Sequence, residues 1–124
     1  NDQMTGGAGA DIFRLAVDGE SGLTPGALDV VLDWTNADKL QFVGAGADGS
    51  ATTYLESSTT GLTWATALAE ANGALNGTVD FYATQVGSDV VVFYGNLAGA
   101  ATDAVVLVGK TLADLNDDGT NILG

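Results

Sequence analysis

The chain of 124 residues predicts a mainly β fold with one principal helix, on three observations. Eighteen glycines stand against one proline with 46% hydrophobic residues, a composition of tight turns between apolar segments and not of a disordered chain. Two runs rich in β-branched and aromatic residues, 79–86 and 89–94, flank Gly87-Ser88, where glycine supplies the positive φ of a two-residue II′ hairpin turn. Only residues 62–75 show a clear helical period, with Trp64, Leu68, Ala71 and Leu75 along one stripe.

Taken in order, the elements begin with Gly6-Gly7-Ala8-Gly9-Ala10-Asp11-Ile12-Phe13-Arg14, which fits the known calcium-binding nonapeptide G-G-x-G-x-D-x-U-x at every fixed position. Gly6, Gly7 and Gly9 allow backbone conformations closed to other residues, so the carbonyls of Gly7 and Gly9 can turn toward one point. Asp11 adds a carboxylate, and calcium, a hard ion wanting six to eight oxygens, suits that mixture. Asp2 lies nine residues before Asp11, and Met4 nine before Phe13, so residues 1–5 read as the end of a preceding nonapeptide of a longer protein.

Strands are expected at 12–17, 27–32 and 40–43, with a polar loop at 18–26 containing Pro25. Residues 44–49 read as a hairpin turn leading to a strand at 52–57 around Tyr54. The helix at 62–75 has Thr60 or Thr63 to cap its start and Gly73 or Gly77 to end it, and Trp64 is expected to be its buried anchor. In the hairpin at 79–94, Phe81, Ala83, Gln85, Val90, Val92 and Tyr94 share one face. Tyr82, Thr84, Val86, Asp89, Val91 and Phe93 share the other. Both faces are largely apolar, so the hairpin should be covered on both sides, once by the helix. A further strand is expected at 103–108.

Sixteen acidic residues against three basic ones, Arg14, Lys39 and Lys110, give a net charge of −13. Such a surface repels nucleic acid and anionic membranes and attracts divalent cations. Cysteine and histidine are absent, which excludes disulfides, thiolate chemistry and the usual neutral-pH general base. The serines lie in turn-like contexts without a nucleophile motif, and neither a Walker loop nor a dinucleotide fingerprint occurs. An enzyme is therefore not expected, nor is a membrane span, since no apolar run approaches about 18 residues.

The nonapeptide and the segment Asp33-Trp34-Thr35-Asn36-Ala37-Asp38-Lys39-Leu40 together resemble the C-terminal end of RTX (hemolysin-type calcium-binding) proteins. The resemblance implies the end of a parallel β-roll with calcium held between glycine-rich turns, residues 1–43, followed by a β-rich capping and secretion region, residues 44–124, the two forming one continuous unit. It adds Asp33 and Asp38 to Gly7, Gly9 and Asp11 as candidate calcium ligands, with Asp2 in an incomplete site and Asp29 a weaker candidate. It further implies type I secretion from a Gram-negative bacterium, with upstream repeats and the secretion machinery as partners. The alternative is a self-associating structural module of an extracellular adhesin, S-layer or filament. Asp114-Leu115-Asn116-Asp117-Asp118-Gly119 matches half of an EF-hand loop without the closing glutamate, and reads as an Asp-rich turn.

Overall fold

The computed structural model describes residues 1–17, 21–97 and 99–124; residues 18–20 of the polar loop and residue 98 lie outside the described residues. Strands β1 (Gln3–Met4), β2 (Ile12–Ala16), β3 (Asp29–Val31), β4 (Lys39–Val43) and β5 (Tyr54–Glu56) precede the helix α1 (Trp64–Ala74). After it come β6 (Phe81–Val86), β7 (Asp89–Tyr94), β8 (Asp103–Leu107), a 3-10 turn (Leu112–Asp114) and β9 (Ile122–Leu123). They form a mixed six-stranded sheet, β1-β3-β8-β7-β6-β5, and a parallel three-stranded sheet, β2-β4-β9. The expectation of a β-rich chain with one helix is met. None of the helices among the described residues is long and apolar enough to cross a membrane.

The nine-residue step seen in the sequence is what carries the chain from one sheet to the other. Met4 and Phe13 lie in different sheets, and so do Val31 and Leu40, again nine residues apart. The pairs Met4↔Val31 and Phe13↔Leu40 then place each segment beside its counterpart, so the chain winds between two ladders. Alternation along the strands decides which side chains face inward. Phe13, Leu15, Leu40 and Phe42 are buried between the sheets, whereas Ile12 is 57% exposed. The later chain extends both ladders: Val31 pairs with Leu107 of β8, and Leu40 with Ile122 of β9.

The hairpin forms with the expected register, Val86 opposite Asp89, and Gly87 has φ 59 while Ser88 keeps a negative φ, as a II′ turn requires. Phe81, Ala83, Val90, Val92 and Tyr94 join the core between the sheets. Tyr82, Val91 and Phe93 pack on the opposite side with Ala67, Ala71 and Leu75. Strands β5 and β6 are parallel, and such a pair needs a long crossover; α1 is that crossover and covers the outer face of the sheet. The Thr63 side chain accepts the Thr66 amide and Thr66 returns the bond, a reciprocal cap that starts α1 at Trp64. Glu70 ties α1 to the sheet, its Oε1 accepting from Ser57 Oγ at 2.9 Å, Thr59 Oγ1 at 3.1 Å and Tyr82 OH at 3.0 Å.

Three expectations are corrected. Trp64 is only half-buried, with its ring 5.4 Å from that of Phe93. It stands at the first turn of α1, and the close approach to the sheet is made by the small Ala67 and Ala71. The enclosed tryptophan is Trp34, 0% exposed and 6.2 Å from the Phe13 ring. Residues 44–49 are not a hairpin turn, because β4 and β5 belong to different sheets and both sides of β4 are already taken by β2 and β9. The segment crosses between sheets, the Gly49 amide donating to Ile122 O at 3.0 Å. Finally, β5 starts only at Tyr54, since Ser50 O accepts the amides of Thr53 and Tyr54 and winds residues 51–53 into a turn.

Candidate metal centre at the stacked turns

Two turns lie one on the other at the same end of the ladders. The first, residues 5–11, joins β1 to β2; the second, residues 32–38, joins β3 to β4. The ladder register brings each residue of the first beside the one 27 positions later, so Asp2 meets Asp29, Gly6 meets Asp33, and Asp11 meets Asp38. In the first turn Gly7 has φ 87 and Gly9 φ 132, conformations that L side chains rarely adopt.

The carboxylates of the second turn bind the backbone of the first. Asp33 accepts from the Gly6 amide through Oδ1 at 3.0 Å and from the Gly7 amide through Oδ2 at 2.8 Å. Asp38 Oδ1 accepts the Asp11 amide at 2.9 Å, while its Oδ2 accepts the Thr35 amide at 2.6 Å and the Thr35 hydroxyl at 3.1 Å. Asp29 Oδ1 accepts the Asp2 amide at 2.7 Å. The bonds from Gly7 and then Gly6 favour the ionised form of Asp33 and hold its carboxyl below the ordinary value of 3.8.

Asp11 differs from these. Its Oδ2 is enclosed and has no hydrogen-bond partner, and the side chain folds back over Gly6 so closely that a Cβ there would lie 2.6 Å from that oxygen. Glycine at position 6 is thus a steric requirement of the Asp11 conformation. Beside it an open groove of about 520 Å³ is lined by residues 3–6 and 11–14. A buried acceptor with no donor, next to a turn built from glycine, is chemistry that a hard cation fits.

The sequence candidates therefore separate. Gly7, Gly9, Asp11, Asp33 and Asp38 are brought to one pair of stacked turns, but Asp33 and Asp38 spend their oxygens on amides. Asp2 is exposed at the start of β1, with its amide held by Asp29, and does not join Asp11. Among the described residues no three carboxylates gather into a group able to hold a metal ion.

What sequence reasoning missed is the support beneath the second turn. Asn121, 2% exposed, donates through Nδ2 to Asn36 O at 3.0 Å and Asp38 O at 2.9 Å, while its Oδ1 accepts the Asn116 amide at 2.6 Å. Trp34 Nε1 donates to Asp114 O at 3.0 Å, and Lys39 Nζ to Thr120 O at 2.7 Å. In the Asp-rich tail, Asp114 accepts the Thr111 amide, and Asp118 Oδ1 accepts the Thr120 hydroxyl at 2.8 Å and amide at 3.1 Å. Those Thr120 bonds hold the Asp118 carboxyl below its ordinary value. The only sequence signal of this clamp is the polar tail itself, with Asn116 and Asn121 among its aspartates.

Comparison with protein-family models, with curated proteins and with solved structures gave no significant match.

Proposed function

We propose that the chain is the calcium-binding C-terminal end of a secreted RTX-type protein, in which the two ladders are the last coils of a parallel β-roll and α1 with the β6–β7 hairpin forms its cap. The observation that carries the reading is the unpartnered Oδ2 of Asp11, set in a turn that fits the calcium nonapeptide. Asp11 and the carbonyls of Gly7 and Gly9 would hold the ion. Asp33 and Asp38 position that turn through its amides. The role is binding and folding, not catalysis.

Coupling to location follows from charge. Thirteen net negative charges oppose compaction, and an ion at the turns offsets the repulsion where aspartates converge. Its binding adds to folding stability by about 2.7 kcal/mol at a hundredfold excess over Kd. Low calcium inside the cell leaves the turns loose for type I export; millimolar calcium outside a Gram-negative cell closes them.

Calorimetry tests the reading. The chain takes up calcium in the millimolar range or tighter, and Asp11→Asn weakens that binding about tenfold or more. Hydrogen exchange with a chelator should then deprotect residues 1–43 more than residues 60–110. No heat of binding from the wild-type chain would end the calcium reading and favour the second one, a self-assembling module of an adhesin, S-layer or filament. That alternative draws on the outer edges of β1, β2 and β5, which pair with no further strand among the described residues, each a template for another chain. Light scattering across calcium concentrations measures it directly.

A further inference from the structure

Asparagine precedes glycine at two places, Asn72-Gly73 and Asn76-Gly77. This dipeptide is the one most open to attack on the asparagine side chain, because glycine puts no Cβ beside the amide nitrogen that follows. The fold treats the two differently. Asn72 and Gly73 lie inside α1, whereas Asn76 and Gly77 are exposed in the connection from α1 to β6.

In α1 the Cα–Cβ bond of Asn72 tilts toward the N-terminus of the helix, away from the Gly73 nitrogen. Its Oδ1 accepts the Ala101 amide at 2.8 Å, a bond to the segment before β8. At Asn76 the chain turns instead. Gly77 has φ 80, the Asn76 amide donates to Val79 O at 3.2 Å, and the Gly77 amide donates to no acceptor among the described residues. Asn76 Oδ1 accepts the amides of Thr78 at 2.9 Å and Val79 at 2.8 Å. Val79 is buried in the layer between α1 and the sheet, so its amide is fixed in place. Two such N–H groups on one carbonyl oxygen form an oxyanion hole: they stabilise the negative charge that develops on Oδ1 when a nucleophile adds to Cγ.

We propose that Asn76 is a self-modification site, at which the folded chain deamidates while the same dipeptide inside α1 is spared. The Gly77 nitrogen adds to Asn76 Cγ and gives up its proton; Nδ2 takes a proton and leaves as ammonia, closing a succinimide ring. Water then adds to one of the two ring carbonyls and breaks its bond to nitrogen, giving aspartate or isoaspartate. Water is the only co-reactant. The net charge moves by one, from −13 to −14, and the isoaspartate branch adds a methylene to the backbone between α1 and β6.

The experiment incubates the full wild-type chain in mildly alkaline buffer, once folded and once in guanidinium chloride, and follows it by mass spectrometry with fragmentation between residues 72 and 76. The mass gained by an acid over an amide separates deamidation from isomerisation at Asp48-Gly49 or Asp118-Gly119, which leaves the mass unchanged. Each asparagine is compared with itself in denaturant. Asn76 is expected to convert at least as fast folded as unfolded, because its two amide donors are in place only in the folded chain. Asn72 slows about tenfold or more on folding, since it must wait for α1 to open. Equal rates at the two asparagines in the folded chain overturn the proposal. So does conversion of Asn76 that is slower folded than unfolded, which makes the Thr78 and Val79 amides a restraint on the side chain.

Discussion

The side-chain amide of Asn121 donates to the backbone carbonyl of Asp38 at 2.9 Å, across 83 positions of the chain, and a second bond reaches Asn36 O at 3.0 Å. The second turn is therefore gripped from both directions: Asp38 holds the turn before it, and Asn121 holds Asp38. Replacing Asn121 with Ala strands buried partners and should cost about 1–3 kcal/mol. Urea unfolding read by Trp fluorescence measures this, since Trp34 is bonded to the same tail segment through Asp114 O.

Gly6→Ala puts a methyl group 2.6 Å from Asp11 Oδ2. The carboxylate must swing away, so calcium affinity should fall about tenfold while the far hairpin keeps its structure. Calorimetry with amide-exchange protection of residues 81–94 reads both quantities; unchanged affinity would separate Asp11's pose from metal binding.

Phe42 is wholly enclosed, 5.5 Å from the Phe81 ring and 5.6 Å from that of Tyr94, where the two sheets meet. Phe42→Ala should lose about 3–5 kcal/mol, a large share of a small domain's stability. Denaturant midpoints at matched calcium check it.

Acid should loosen the first turn through Asp33. Its carboxyl is held below the ordinary 3.8 by the Gly7 and Gly6 amides, so the folded state binds the proton more weakly than the unfolded state does. The resulting stability is fully present above the unfolded value and is lost as pH falls through the lower folded one. Asp33→Asn should flatten that acid limb of the unfolding midpoint, leaving the part due to Asp118, which is shifted the same way by Thr120. A limb of unchanged steepness would show that the Asp33 bonds do not couple to folding.

The elements legible in the sequence are those written in neighbouring residues. Gly87-Ser88 and its flanking strands, the Thr63 cap, and the nine-residue step from Met4 to Phe13 each rest on local chemistry. The two-residue strand β9 was not legible, because Ile122 and Leu123 have no period of their own and gain meaning only beside Leu40 and Gln41. At the turns, the need for glycine at positions 7 and 9 could be read directly, both having positive φ. The work of Asp33 and Asp38 could not: a carboxylate that ligates a metal and one that caps an amide are the same residue at the same spacing. The two tryptophans show the same limit, since helical position favoured Trp64 while the enclosed place went to Trp34, inside a turn.

Strands β8 and β9 dock onto β3 and β4, yet they leave the ribosome more than sixty residues later. Until they arrive, one side of β3 and one side of β4 stand open, and Leu40 and Phe42 lack the Ile122 that helps roof them. Closure of the ladders is thus deferred by the order of the chain until β8 and β9 have been made, whatever the ion concentration. Pairings so distant in sequence are slow to form. A nascent chain of this design stays threadable for longer than one whose strands pair with their immediate neighbours.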